Sequence, residues 1–397
     1  ILCVSSITLF FFWEITSLNY FKKFPFLIIV LLISLAESHL TFVISFLRLE
    51  KYLNIILSIR FFQFSLTIFS AFFLSKYYGI TGAIFGFSFS IIFLSILLTI
   101  FFLINYKNFI YRNFRFIKLR QMTPIVKYSI PFFINDLCYT VRNISLPFIL
   151  SIFLPLAVVG NFHISMLFAS ILFLFIISVD MIISPNYLEF RVKNIKQKLK
   201  TDKIIKTVSN LIICIISIFT IIFFTFVTSL FELLFPTKDV VNMKILLILS
   251  VGFYFQAFYI MWVKPCLFTK NNNFIPIISF FITLIMIGNI YFLTPKYGIL
   301  VPAIMSLFSQ ICYAFLILLI SKNYETIGLE FLIYIPSIIF VSLSSFISYL
   351  FITGKISTVY FVLIIITLIL STALSLILPK FSKIKYFLIK YNIFNNK

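Results

Sequence analysis

The residue of this chain best suited to chemistry is an arginine inside an apolar run. Arg142 stands near the middle of the stretch 124–154, followed by Asn143 and preceded by Asp136. A guanidinium stays charged and offers a planar fork that matches phosphate oxygens. Six residues turn a helix by about 240°, so Asp136 and Arg142 are expected to meet different neighbours. The competing reading is an interhelical ion pair that only holds helices together. Arg60, Glu14, Glu37, His39, His163 and Asp180 are the other charged or titratable groups in or near apolar runs. Arg60 joins Arg142 and Asn143 as a candidate for binding an anion. Asp136, Glu14, Glu37 and Asp180 are candidates for binding a proton or a sodium ion. One charge moved through 100 mV is worth ~2.3 kcal/mol, enough for one such site to bias a conformational equilibrium. For each of these groups alone, a structural or snorkelling role competes. Pro131 and Pro147 bracket the Arg142 segment and are expected to bend it.

No catalytic constellation accompanies these charges. With two histidines and no HExxH, Walker A or GxSxG pattern, neither an enzyme nor an ATPase is expected. Cys3, Cys138, Cys214, Cys266 and Cys312 are scattered without metal or CxxC spacing, so neither a metal site nor a cofactor is expected.

The elements that position these residues must lie in a membrane. Hydrophobic residues make up 62% of the chain and charged ones 11%, with a mean hydropathy of +1.15; soluble domains carry roughly 25% charged residues. Apolar runs recur near the ~20 residues a helix needs to cross the hydrocarbon. Twelve spans are expected, near 1–19, 25–47, 53–74, 79–104, 124–154, 158–184, 204–230, 243–263, 274–293, 297–320, 331–352 and 357–378. Counting Lys and Arg on alternate sides gives 23 against 7, with Arg60 and Arg142 inside spans. That bias places the basic loops and the C-terminus in the cytoplasm.

The net charge of +21 therefore reflects topology rather than a nucleic-acid surface. In 105–123, Lys107, Arg112, Arg115 and Lys118 fall on one helical arc, opposite Phe109, Ile110, Phe114, Phe116 and Ile117. That pattern is a cytoplasmic amphipathic linker lying on lipid. The basic tail 379–397 reads the same way.

An internal repeat organises the spans. Lys76-Tyr77-Tyr78-Gly79-Ile80 recurs as Pro295-Lys296-Tyr297-Gly298-Ile299, an offset of 219. The same offset lays Lys51-Tyr52-Leu53-Asn54 over Lys270-Asn271-Asn272-Asn273. It also implies about 95 residues, enough for two spans, ahead of Ile1. The expected fold is all-α and polytopic: two pseudo-symmetric six-helix bundles and a terminal pair. Its parts are a four-helix remainder of the first bundle (1–104), the linker, a second bundle (124–320), the terminal pair (321–378) and the tail.

At this point the sequence resembles the Wzx-type O-antigen and polysaccharide flippases, within the superfamily that includes MATE exporters and lipid II flippases. The likeness rests on Lys127-Tyr128-Ser129-Ile130-Pro131-Phe132-Phe133, Val159-Gly160-Asn161-Phe162, Ser184-Pro185 closing a span, and Tyr78-Gly79-Ile80-Thr81-Gly82-Ala83. The second copy departs from the last element, with Val301-Pro302 in place of Gly82-Ala83. The resemblance implies a multi-pass protein of the bacterial inner membrane. Its substrate would be an oligosaccharide on undecaprenyl pyrophosphate, a repeat unit of O-antigen or capsule, moved between leaflets by ion-coupled alternating access. Expected partners are that lipid-linked oligosaccharide, membrane lipids, and H+ or Na+, with no nucleic acid. The alternatives are a MATE-like small-molecule exporter, or a membrane polysaccharide polymerase, which usually carries a large external loop.

Overall fold

In a bilayer every backbone N–H and C=O must find its partner within the protein, which leaves the helix as the solution for single apolar segments. A computed structural model describes residues 24–49, 52–114, 119–193, 198–234, 240–269, 273–321, 331–355 and 357–377. Among them there is no strand, and the helices, in order, are α1 (Phe24–Leu49), α2 (Leu53–Phe114), α3 (Leu119–Phe153), α4 (Leu156–Lys193), α5 (Lys198–Leu234), α6 (Val240–Phe268), α7 (Phe274–Tyr297), α8 (Leu300–Ser321), α9 (Phe331–Ile352) and α10 (Thr358–Ile377). Among the described residues eight stretches are long and apolar enough to cross a membrane, the mark of a multi-pass membrane protein. Side-chain hydroxyls inside these helices turn back on their own backbones, as Ser217 donates to Ile213 O and Ser250 to Leu246 O. That arrangement keeps hydroxyls away from the hydrocarbon.

The chain divides at 126/127 into two units. In the first, α1 lays Ala36, Leu40, Val43, Ile44 and Leu47 against Ile56 and Ile59 and against Ile91, Leu94 and Leu98 of α2. Although helical turns run from Leu53 to Phe114, α2 is a hairpin. Ser70 Oγ donates to Gly86 O at 2.8 Å, and the Thr67 and Ser90 hydroxyls meet at 2.7 Å. A straight helix would hold residues 70 and 86 about 24 Å apart. The chain reverses at Gly79, whose φ of +60° is cheap only for glycine. The arms touch through small residues. A Cβ on Gly82 would strike the Leu74 carbonyl, and one on Gly86 would lie 2.5 Å from the Ser70 carbonyl. Gly82 and Gly86 are thus a GxxxG pair used within one hairpin. Gly298, aligned with Gly79 by the repeat, also has positive φ (+72°) where α7 turns into α8. Three residues on, where Gly82 stands in the first copy, the second copy has Val301, which is buried.

In the second unit α6 is the central helix, in close contact with α4, α5, α8 and α9. Tyr254 and Phe258 of α6 are fully buried beside Phe224 and Ile221 of α5. The Tyr254 hydroxyl meets Ser217 of α5 at 2.9 Å and donates to Ser337 of α9 at 3.2 Å. α10 closes the group against α5 and α9.

Several boundaries differ from the sequence expectation. α6 runs on to Phe268, because Cys266-Leu267-Phe268 continues the apolar face; Lys264, placed in a loop by charge counting, is inside the helix. α4 runs past Ser184-Pro185 to Lys193; a proline removes one backbone hydrogen bond and need not end a helix. α3 continues through Pro131 and Pro147. Carrying Lys127, Asp136 and Arg142, it is not among the eight stretches apolar enough to cross on composition alone. The span at 1–19 and the tail 379–397 lie outside the described residues. So do the side chains of the linker's amphipathic face.

Candidate functional site

Positions 135, 139 and 142 share one face of α3, since i, i+4 and i+7 stack along a helix. That face carries Asn135, Tyr139 and Arg142 into the second unit. Arg142 is 5% exposed, with its guanidinium 5.2 Å from the centre of the Tyr139 ring. Among the described residues no carboxylate pairs with it. Asn135 accepts a hydrogen bond from the Tyr313 hydroxyl of α8 at 2.5 Å. The Tyr313 ring in turn stacks on Tyr259 of α6, centroids 4.5 Å apart and planes within 27°. Ser279 of α7 stands beside both Cys138 and Tyr313.

Asp136, one residue off this face, is exposed, and its Oδ1 accepts a 3.5 Å contact from Asn135. It shares no ion pair with Arg142 among the described residues, as the angular separation implies.

A second polar group lies farther along α6. Lys264 Nζ pairs with Asp180 Oδ1 of α4 at 3.0 Å; the Lys264 side chain is 5% exposed and that of Asp180 32%. The Ser184 hydroxyl, one turn on, donates to the same Asp180 oxygen at 2.6 Å. Tyr259, five residues before Lys264 on α6, stands within electrostatic reach of both Asp136 and Asp180. The result is a polar tract within a largely apolar unit. It has a buried cation without a carboxylate at one end and a buried ion pair at the other.

Chemically, the tract can do two things. A buried guanidinium with a tyrosine ring on one side and no anion is under-compensated, since a desolvated charge needs a partner. It is a ready receptor for an oxyanion, to which Arg can present two parallel donors. An ion pair with one part-exposed member can exchange its cation for another, because Asp180 is accessible where Lys264 is not. Among the described residues no group of His, Cys, Asp or Glu could hold a metal.

The remaining sequence candidates lie elsewhere. Arg60, in the first unit, is exposed and donates to Gln63 Oε1 at 2.8 Å. Glu37 is half-buried on α1. His39 bridges α1 to the second arm of α2, with Nδ1 3.1 Å from Ser95 Oγ and Nε2 3.4 Å from Thr99 Oγ1. His163 is exposed on α4. The Asn143 side chain and all of Glu14 lie outside the described residues. Sequence reasoning missed Asn135, Tyr139, Tyr259, Tyr313 and Lys264. The i, i+4, i+7 spacing back from Arg142 was a usable signal for the first two. The apolar residues after Pro265 were one for Lys264. Nothing local marks Tyr259 or Tyr313 among twenty tyrosines.

Comparison with family profiles, with curated proteins and with solved structures returns no match.

Proposed function

We propose that this chain is a flippase that carries an oligosaccharide on undecaprenyl pyrophosphate, an O-antigen or capsule repeat unit, from the cytoplasmic to the outer leaflet of the bacterial inner membrane. It works as a transporter rather than an enzyme, by alternating access between two like-oriented six-helix bundles followed by a terminal helix pair. The observation that carries the reading is Arg142. It is a buried, carboxylate-free guanidinium on a helix too polar to be a mere anchor, and a diphosphate is the anion such a lipid brings. The short motifs around Pro131, Gly160 and Gly79 support the same family. The hairpin glycines Gly79 and Gly298, both at positive φ, suit duplicated bundles.

In this reading Arg142 binds the diphosphate while Tyr139, Tyr259 and Tyr313 offer ring faces and hydroxyls to the first sugars. Asp180 supplies the coupling step: a proton or Na+ takes the place of Lys264 beside it, which loosens α4 from α6. Asp136 is the second carboxylate available for that exchange.

The test is the leaflet distribution of lipid-linked sugar in cells whose only copy of the chain is Arg142→Gln or Arg142→Lys. A charge-assisted hydrogen bond is worth about 1.5–3 kcal/mol, so Arg142→Gln is expected to slow translocation about 10- to 100-fold. The precursor then accumulates on the cytoplasmic face, and Arg142→Lys restores part of the rate. Wild-type translocation by Arg142→Gln would remove the basis of the reading. A deletion that altered only drug susceptibility would point instead to a MATE-like exporter.

A further inference from the structure

Helices α6, α8 and α9 of the second unit line an open, shallow groove of about 460 Å³, within the 300–1,000 Å³ common for ligand sites. It opens at the end of the unit where α6 and α8 begin and α9 finishes. Its wall is apolar, with Val251 and Leu307 at depth, but its rim carries Lys244 of α6. The Lys244 ammonium lies 5.1 Å from the centre of the Tyr349 ring of α9. A half-buried lysine beside a tyrosine at a span end is the pattern of a lipid–water interface. Among the described residues this lysine has no carboxylate partner.

Below the rim, α9 presents two more polar groups to the groove. Ser345 is one turn deeper than Tyr349 and Ser342 is deeper again, about 6 and 10 Å along the helix. Their neighbours Ser337 and Ser344 satisfy themselves by donating to Tyr334 O and Val341 O. Ser342 and Ser345 donate to no described residue, although they face a groove in the hydrocarbon region, where an unmet hydroxyl is costly.

A cation at the surface, two free donors 6–10 Å beneath it and an apolar floor are laid out in the order of a glycerophospholipid. That order is phosphodiester first, then ester carbonyls, then acyl chains. We propose that this groove binds one anionic glycerophospholipid, with its phosphodiester on Lys244 and its ester carbonyls on Ser345 and Ser342. The charge count selects the occupant. One cation balances the single negative charge of a phosphodiester and leaves the higher charge of a diphosphate uncompensated. The site is therefore distinct from the Arg142 tract and does not depend on the transport reading.

The experiment measures lipid retention on the purified full-length chain in detergent by native mass spectrometry, with phosphatidylglycerol, phosphatidylcholine and undecaprenyl phosphate as probes. Wild type is expected to hold phosphatidylglycerol about fivefold more tightly than phosphatidylcholine, the effect of one basic residue near a membrane surface. Lys244→Gln should abolish the preference, while Lys244→Arg and the exposed, off-groove Lys355→Gln should keep it. The double change Ser342→Ala/Ser345→Ala should weaken retention of both diacyl lipids, and it decides the matter if Lys244→Gln does not yield monodisperse protein. Equal retention of the two diacyl lipids by wild type would overturn the proposal. So would an unchanged preference in Lys244→Gln, unchanged retention in the serine double variant, or undecaprenyl phosphate displacing phosphatidylglycerol.

Discussion

Asp180→Asn is expected to destabilise the second unit far more than Lys264→Met, although each removes the same ion pair. The asymmetry follows from burial. Lys264 is 5% exposed and Asp180 32%, and Lys264 Nζ makes no hydrogen bond beyond that pair. Taking away the carboxylate strands an ammonium in the core, and breaking a buried pair in that way costs about 3–5 kcal/mol. Partial exposure of Asp180 puts the value near the lower end, about 3 kcal/mol. Taking away the lysine leaves a carboxylate that still accepts from Ser184 at 2.6 Å and is already part-exposed, for a loss of about 1 kcal/mol. The double variant removes both charges and fills the space with methionine, so it should lie within about 1 kcal/mol of wild type. It should therefore be more stable than Asp180→Asn alone. Trp262 is two residues from Lys264 and packs on Phe258 and Tyr334. In a Trp13→Phe background its fluorescence during denaturation in mixed micelles reports this unit. Equal losses from the two single changes, or a double variant whose loss is their sum, would refute the reasoning.

Two further expectations concern packing and the polar tract. Gly86→Ala should cost about 1–3 kcal/mol by overpacking, since its Cβ would lie 2.5 Å from the Ser70 backbone; Gly288→Ala, with open space at that position, should be neutral or slightly stabilising, and thermal unfolding of the two variants checks the contrast. Tyr313→Phe removes the donor to Asn135, a loss of about 1 kcal/mol. It should raise amide hydrogen exchange in α3 around Asn135 while the α6 core stays protected, whereas unchanged exchange would mean that this bond does not hold α3.

The membrane class was legible because it is a bulk property: long apolar runs and a one-sided distribution of Lys and Arg need no tertiary information. Turn positions were legible where the backbone demands glycine, as at Gly79 and Gly298. Charges placed by counting were less secure. Lys264 falls in a loop when the apolar window is closed at 263 and the charges are counted on alternate sides. In the fold Asp180 answers that charge from another helix 84 positions earlier, a compensation invisible along the chain. The Arg142 tract was half legible. The arginine announced itself, and its helical face could have supplied Asn135 and Tyr139. Tyr259 and Tyr313 belong to the site only because α6 and α8 bring them there, and in a chain with 56 phenylalanines and 20 tyrosines composition hides them.

Helix α6 joins these features, and the way it does so limits which parts can move. Lys244 meets Tyr349 of α9, Tyr254 meets Ser217 of α5 and Ser337 of α9, Tyr259 stacks on Tyr313 of α8, and Lys264 pairs with Asp180 of α4. Polar contacts to four helices at four levels pin α6 against both sliding and rotation, since either motion breaks several at once. α3 is held differently. It is absent from the helix pairs in close backbone contact: its second half is keyed into the core by Leu146 and Leu150, while its first half reaches the unit through long side chains, Tyr128 to Leu267 O at 3.4 Å and Asn135 to Tyr313 at 2.5 Å. Such contacts reform easily after a shift of an ångström or two, whereas ridge-in-groove packing does not. The first half of the helix that carries Arg142 is thus held more loosely than α6, while Leu146 and Leu150 anchor its second half in the core.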